Sequence, residues 1–428
     1  MEQTGSFPKG LLARPSEEAS EADRRLLFEL VQGVLRWRGR LDYVLARFSR
    51  LPLSRLAPPV LDILRLGAYQ LLFLTRVPAR AAVDESVKLA GRYPPHVRGF
   101  VNAVLRAVAR EGAGVSFPDP EAEPVAYLAA CYSHPSWLAE RYLARFGLEE
   151  ARALLSANNA QPPLTARTNT LRTTRAELAE HLKAEGVGAT PTRFSPEGLT
   201  LIGAGEPGRL KSLAEGLFQL QDEAAQLVSH LVAPLPGERV LDACAGLGTK
   251  TVHLAQLMEG RGEVVALDAD GRKLERLVEA AMIAGVGEMV KVRVHDATRP
   301  FEGEQLDRVL LDAPCSGTGV IRRRVDLRWR KRPEDIARLA ELQLAMLEAA
   351  SRSVAKGGVI VYAACSLEPE EGEELIPRFL ARHPDFSLED AALSLGPMSP
   401  GPGPYLRTFP HLLGGAMDGF FAARLKRQ

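Results

Sequence analysis

Apolar residues over 21–110 recur at three- and four-residue spacing, the period of a helix with one buried face. RRLLFELVQGVLRW, LDYVLARF, PPVLDILRLGAYQLLFL, RAAVDESVKLAGRY and HVRGFVNAVLRAVAR all show it, and Pro/Gly-bearing breaks such as RLAPP and RYPPH separate them. The pattern predicts a compact all-helical domain. EGAGVSFPDPEAEP, rich in Gly, Pro and acid, then reads as a linker. VAYLAACYSHPSWLAERYLARF and EEARALLSAN return to helical spacing. PLTARTNTL and GLTLIG read as short strands, with TTRAELAEHLKAEG between them as a Thr-capped helix. Together these predict a small α+β module over 116–216, and 217–229 leads into the last domain.

From about 236 strand and helix alternate. RVLDAC, EVVALD, VKVRVH, RVLLDA and GGVIVYAAC read as strands, with helices such as KTVHLAQLM and PEDIARLAELQLAMLEAASRSV between them. Alternating βα units imply a parallel, doubly wound sheet, and MDGFFAARLK supplies a late antiparallel strand. The expected architecture is multidomain: an all-α domain at 1–115, a small α+β module at 116–216 and a Rossmann-like α/β domain at 217–428.

The 428 residues suit two or three domains, and 46% hydrophobic with 25% charged residues is the balance of a globular protein. No apolar run reaches the roughly 18–20 residues of a membrane helix. The N-terminus lacks the layout of a signal peptide, so a cytoplasmic location is expected. The net charge of +1 hides an asymmetry: residues 1–110 hold 18 Lys/Arg against 10 Asp/Glu, which leaves the remainder acidic. With the basic clusters RWRGR (36–40) and IRRRVDLRWRKR (321–332), this points to a polyanionic partner. The four cysteines, Cys131, Cys244, Cys315 and Cys365, form no CxxC and no zinc pattern with histidine, so free thiols and no metal are expected.

The first βα turn of the sheet reads VLDACAGLGTKT (240–251). Gly246 and Gly248 let the backbone turn tightly beside a ligand, and helix N–H groups beginning near Thr249 point the same way. Asp268 ends the second strand and can accept two ribose hydroxyls; Asp296 ends the third. Neither GxGxxG nor GxxxxGK[ST] is present, which argues against a dinucleotide or ATP. A nucleoside without phosphate, such as S-adenosylmethionine, fits better.

Strand four runs into LLDAPCSGTG (310–319) and strand five into VYAACSLEPEE (361–371). In a doubly wound sheet these strands are neighbours, so Cys315 and Cys365 should meet beside the cofactor crevice. A thiolate attacking C6 of cytosine makes C5 nucleophilic enough to take a methyl group from a sulfonium. Asp312 is placed to face N3 of the base, and Lys250 is a candidate cation for the thiolate. Cys244 is expected to pack against the cofactor or the sheet, and Cys131 in a helical core.

On these residues the chain resembles the RNA 5-methylcytosine methyltransferases, in particular the RsmB (Fmu/Sun) branch. QDEAAQLV (221–228), DACAGLGTKT, Asp268, Asp296, DAPCSGTGVIRRRVDLRW (312–329), YAACSLEPEEGEE (362–374) and DGFF (418–421) carry the likeness. RTNTLR (167–172) resembles the family's accessory, RRM-like module, and about 20–110 resembles its NusB-type helical RNA-binding domain. The resemblance implies Cys365 as nucleophile and Cys315 as the thiol that assists product release. It implies that Asp312 contacts the cytosine, with Lys250 nearby. Cys244, Ala245, Gly246, Leu247, Gly248, Thr249, Lys250, Asp268, Asp296 and Asp312 would hold S-adenosylmethionine. The implied substrate is a cytosine of 16S ribosomal RNA, and the enzyme is expected to be a monomer. The loop departs from the family's CAAPGGKT: Gly246 replaces Ala, Leu247 replaces Pro and Thr249 stands where a second Gly is usual.

A base must leave its stack to reach such a crevice, which favours single-stranded or loop RNA. Arg322, Arg323, Arg324, Arg328 and Arg330 are expected to hold phosphates, with Trp329 stacking on a base. Three rivals stay open. An exocyclic-amine methyltransferase would need no cysteine pair, a non-catalytic RNA-binding or assembly factor would transfer no methyl, and a related enzyme would act on a transfer RNA cytosine.

Overall fold

The computed structural model describes residues 20–301 and 305–428; the N-terminal stretch read for a leader lies outside the described residues. The chain divides into two compact units. One takes the residues up to Ala160 together with Ile321–Lys331, the other Gln161–Val320 and Arg332–Gln428.

In the first unit, helices Glu21–Phe48, Pro58–Phe73, Ala79–Leu89 and Pro95–Glu111 bury one apolar face each. Leu41, Leu45, Leu64, Ala68, Val101 and Leu105 meet in their common core, as the helical spacing predicts. Helices Pro124–Cys131 and Ser136–Ala157 also pack in this unit. Leu128, Leu138, Tyr142 and Leu154 are buried, and the Gly39 N–H donates to Ser133 Oγ at 2.9 Å. Helical periodicity says that a face is covered, not what covers it.

In the second unit, β1 (Leu164–Thr168), β2 (Gly188–Pro191), β3 (Gly198–Ile202) and β4 (Phe218–Leu220) form an antiparallel sheet in the order β2-β3-β1-β4. Helix Arg175–Ala184 begins at the expected cap, where Thr174 and Glu177 form a capping box. β2 and β4 were not foreseen, and β4 carries the module past the expected boundary at 216. Arg167 on β1 is buried and anchors the module: its guanidinium donates to Gln219 Oε1 at 2.6 Å, Thr249 O at 2.8 Å and Gln256 Oε1 at 3.2 Å.

The large sheet holds β5 (Arg239–Asp242), β6 (Glu263–Asp268), β7 (Val290–Val294), β8 (Leu306–Asp312), β9 (Val354–Ala364), β10 (Phe386–Glu389), β11 (Tyr405–Thr408) and β12 (Phe420–Arg427). Its order is β10-β12-β9-β8-β5-β6-β7, with β11 on β12. β5 to β9 are parallel and correspond to the five strands read from the sequence; β12 pairs antiparallel with β9, as expected. β10 and β11 were not foreseen. Strand order reverses between β5 and β8, the switch point at which open α/β sheets bind ligands. No described helix is long and apolar enough to cross a membrane.

Candidate active site

The turn after β5 is built by two glycines with different needs. Gly248 has φ 83°, and a Cβ there would come within 2.3 Å of Leu277 Cγ, so only glycine fits. Gly246 has φ 57°, and a Cβ there would meet nothing within 4 Å, so its backbone faces open space. The Gly246 N–H donates to Asp268 Oδ2 at 3.0 Å, which ties the loop to the end of β6. Asp268 Oδ1 accepts from the Asp270 N–H at 2.8 Å and lies 3.3 Å from Lys273 Nζ. Asp296 follows β7 and is exposed; the Thr298 N–H and hydroxyl on its Oδ1 hold its pKa below the ordinary carboxylate value. Burial pushes the Cys244 thiol up, consistent with a packing role.

Asp312 pairs with Ala363 in the β8–β9 register, so the two cysteine turns leave the sheet side by side. Cys315 Sγ and Cys365 Sγ are 3.2 Å apart. Their hydrogen bond, together with burial, pushes the Cys315 thiol well up. Lys250 Nζ donates to Asp312 Oδ2 at 2.6 Å. Burial opposes the ammonium, but Asp312 and Cys365 overcome it and raise the lysine pKa. The start of β12 closes the far side: the Gly419 N–H donates to Gly319 O at 2.9 Å, and a Cβ on Gly319 would lie 2.0 Å from Gly419 O. The DGFF segment therefore crosses the Cys315 turn backbone to backbone.

This arrangement coincides with similarity along the whole chain. Residues 229–426 match the model of the 16S rRNA methyltransferase RsmB/F family, 5–110 the NusB family, and 134–206 the ferredoxin-like domain of RsmF/B-like methyltransferases. A probable ribosomal RNA small subunit methyltransferase B from Bacillus subtilis is 37% identical over 440 residues, spanning 100% of this chain and 96% of the relative. The chain belongs to the RsmB/F family. A ribosomal RNA small subunit methyltransferase B from Pseudomonas putida is also 37% identical, over 96% of this chain and 92% of its own. The crystal structure of PH0851 matches with TM-score 0.81 and 30% identity over 96% of this chain and 92% of that one. NSun6 from Pyrococcus horikoshii with SFG matches with TM-score 0.60 and 26% identity over 68% and 98%.

The arginine stretch of this RsmB/F chain requires a correction. Arg328 is 1% exposed, and its guanidinium donates to Asn159 Oδ1 at 2.7 Å, Asn158 O at 2.9 Å and Ser133 O at 3.1 Å. The Trp329 indole N–H donates to Leu35 O at 2.6 Å. Arg322 is buried, and its carbonyl accepts from Arg36 at 3.3 Å. The Arg328 side chain is therefore tied inside the helical unit, the Arg322 side chain is buried, and Trp329 is half-buried. Arg323 is half-buried, and Arg324 and Arg330 are exposed.

Three features went unread in the sequence. Asp242, on β5, is pushed up to about 7 by burial while its Oδ2 accepts from Thr251 at 2.7 Å. Glu371 lies buried between the cysteine turns. Glu197, His230 and His253 bring their side chains within 4.8 Å of one another, although 33 and 23 residues separate them along the chain. Burial pushes Glu197 up, and the His230 hydrogen bond at 2.9 Å overcomes this and leaves it well below the ordinary range. Burial, then Arg167, pushes His253 down to about 3. The Glu197 carboxylate already supports the buried Arg167 guanidinium electrostatically, so a second buried cation would be poorly compensated.

Proposed function

We propose that this chain methylates C5 of a cytosine in 16S ribosomal RNA through an adduct between Cys365 and C6 of the base. As an RsmB/F member it is an S-adenosylmethionine-dependent ribosomal RNA methyltransferase; the atom methylated and the residue roles are the proposal. The observation that carries it is the 3.2 Å approach of two thiols beyond adjacent parallel strands, beside the Lys250–Asp312 pair.

The residues fit the cofactor. Open space lies over Gly246, and Asp268 offers a carboxylate at the rim of the same loop. NSun6, which shares this fold, was solved with SFG, an S-adenosylmethionine analogue. Asp268 and Asp296 would hold the nucleoside, and Cys244, Ala245, Gly246, Leu247, Gly248, Thr249 and Lys250 would border it. S-adenosylmethionine supplies a methyl group activated on a sulfonium. Cys365 adds to C6 as the thiolate, with Lys250 as the nearby cation, and C5 becomes the nucleophile. Asp312 hydrogen-bonds the base edge and so favours the adduct. Once C5 is methylated a solvent base takes its proton, the C5–H electron pair reforms the C5–C6 double bond, and Cys365 is expelled as the thiolate. Cys315, held as the thiol 3.2 Å from Cys365, assists by hydrogen-bonding that leaving sulfur.

The substrate cytosine enters unstacked, from a single-stranded or loop segment, into a monomeric cytoplasmic enzyme. Arg323, Arg324 and Arg330 remain candidates for phosphate contacts. Incubation of the full chain with methyl-labelled S-adenosylmethionine and unmodified 16S RNA tests the reading. Label is expected on C5 of one cytosine. Label on an exocyclic amine, or none, refutes it, and label confined to added transfer RNA moves the substrate.

A further inference from the structure

We infer that Glu371 is a positioning residue that locks both cysteine turns through one carboxylate and so sets the approach of the two sulfurs. The inference rests on the two-thiol mechanism proposed above. Glu371 is 0% exposed. Its Oε1 accepts from the Ser316 N–H at 2.8 Å and from Gln343 Nε2 at 2.9 Å. Its Oε2 accepts from the hydroxyls of Ser316 and Ser366, each at 2.5 Å. Ser316 directly follows Cys315, and Ser366 directly follows Cys365.

The clamp extends to the residues before the thiols. Gln343 also donates to Pro314 O at 2.9 Å, the carbonyl preceding Cys315. Tyr362, three residues ahead of Cys365, donates its hydroxyl to Glu371 O at 2.7 Å. Each cysteine is thus flanked on both sides by groups tied to Glu371 or to its partner Gln343. A buried carboxylate is costly unless its lone pairs are met, and four donors meet them here.

The consequence for chemistry is geometric first. Adjacent strands alone fix Cα positions to within a pleat; a carboxylate shared by both turns fixes the sulfurs relative to each other. A displacement of about 1 Å at a reacting centre can cost roughly 100-fold in rate. Charge acts in the same direction: after the Cys365 hydrogen bond and burial, Glu371 is a further cause that keeps the proton on Cys315. The proton is therefore favoured on Cys315, the release thiol.

The test compares Glu371→Gln and Glu371→Asp with the unaltered full chain. S-adenosylmethionine affinity is measured by calorimetry, single-turnover methylation is followed against pH, and the covalent RNA adduct is quantified on denaturing gels. Glu371→Gln is expected to bind the cofactor normally and to lose about 100-fold in single-turnover rate. The pH dependence of adduct turnover should move toward lower pH as Cys315 loses the neighbouring charge. Glu371→Asp, a methylene too short to reach both serines, should recover only part of the rate. If Glu371→Gln does not fold, Ser316→Ala and Ser366→Ala carry the test. Ser316→Ala should let the adduct accumulate, because only the release turn is loosened, and Ser366→Ala should slow adduct formation. Unchanged rates, pH profile and adduct level in these variants overturn the clamp. Failure of the unaltered protein to form any adduct overturns the two-thiol mechanism instead.

Discussion

Replacing Arg328 by Met removes a buried guanidinium while keeping most of its apolar stem. Three acceptors within 3.1 Å then lose their donor: Asn159 Oδ1, Asn158 O and Ser133 O. An acceptor left unpaired in the interior costs about 1–3 kcal/mol. Against this, the variant no longer buries a cation, whose desolvation lowers the Arg328 pKa to about 9 in the native fold. The net expectation is a loss of about 2–4 kcal/mol. With a urea slope of about 2 kcal/mol/M, the midpoint should fall by about 1–2 M. The assay is unusually selective, because the chain's three tryptophans, Trp37, Trp137 and Trp329, all lie in the helical unit. Tryptophan fluorescence therefore reports that unit's unfolding, while S-adenosylmethionine binding to the other unit should be unaffected. If Arg328 were instead a phosphate contact, the urea midpoint would stay put and RNA binding would show a shallower salt dependence. That outcome would refute the structural role.

Gly248→Ala adds a methyl group 2.3 Å from Leu277 Cγ at a residue with φ 83°. The backbone conformation costs about 1–2 kcal/mol and the overpacking about 1–3. Relief by displacing the loop should weaken S-adenosylmethionine binding at least about tenfold by calorimetry, and an unchanged affinity would contradict the loop's role. Acid should destabilise the catalytic unit: His253 stays neutral in the fold down to about pH 3, whereas the unfolded chain takes up its proton near the ordinary value of 6.5. Its contribution is full above pH 6.5 and is lost as pH falls toward 3, at up to about 1.4 kcal/mol per pH unit. Glu197, depressed in the fold, adds a loss of the same sign below its ordinary carboxylate value. Urea unfolding followed by circular dichroism between pH 8 and 5 should show His253→Gln losing about 2 kcal/mol less than the parent; parallel losses would contradict this.

The catalytic sheet was legible because strand and helix patterns are local signals: five strands lie between Arg239 and Ala364, with helices after the first, second and fourth. The meeting of Cys315 and Cys365 followed from strand order alone. What was lost depends on distant partners. Arg328 looks like its neighbours in a basic run, and only acceptors supplied by Ser133, Asn158 and Asn159, more than 160 residues away, bury it. β2 and β4, four and three residues long, are too short for an alternation pattern to stand out. Helices Pro124–Cys131 and Ser136–Ala157 were legible as helices, but an apolar stripe does not name its cover, so their packing was not. Glu371 sits in an acidic run, EPEEGEE, where nothing in the text distinguishes the two carboxylates that turn inward, Glu368 and Glu371, from the others.

The direct test of the mechanism is the identity of the residue bonded to RNA. Cys315→Ala, incubated with unmodified 16S RNA and S-adenosylmethionine, should stall after methyl transfer and run as a protein–RNA complex under denaturing conditions. Mass spectrometry of the digested complex should find a methylated cytosine joined to the peptide containing Cys365. No trapped complex, or a base joined through any other residue, contradicts the account.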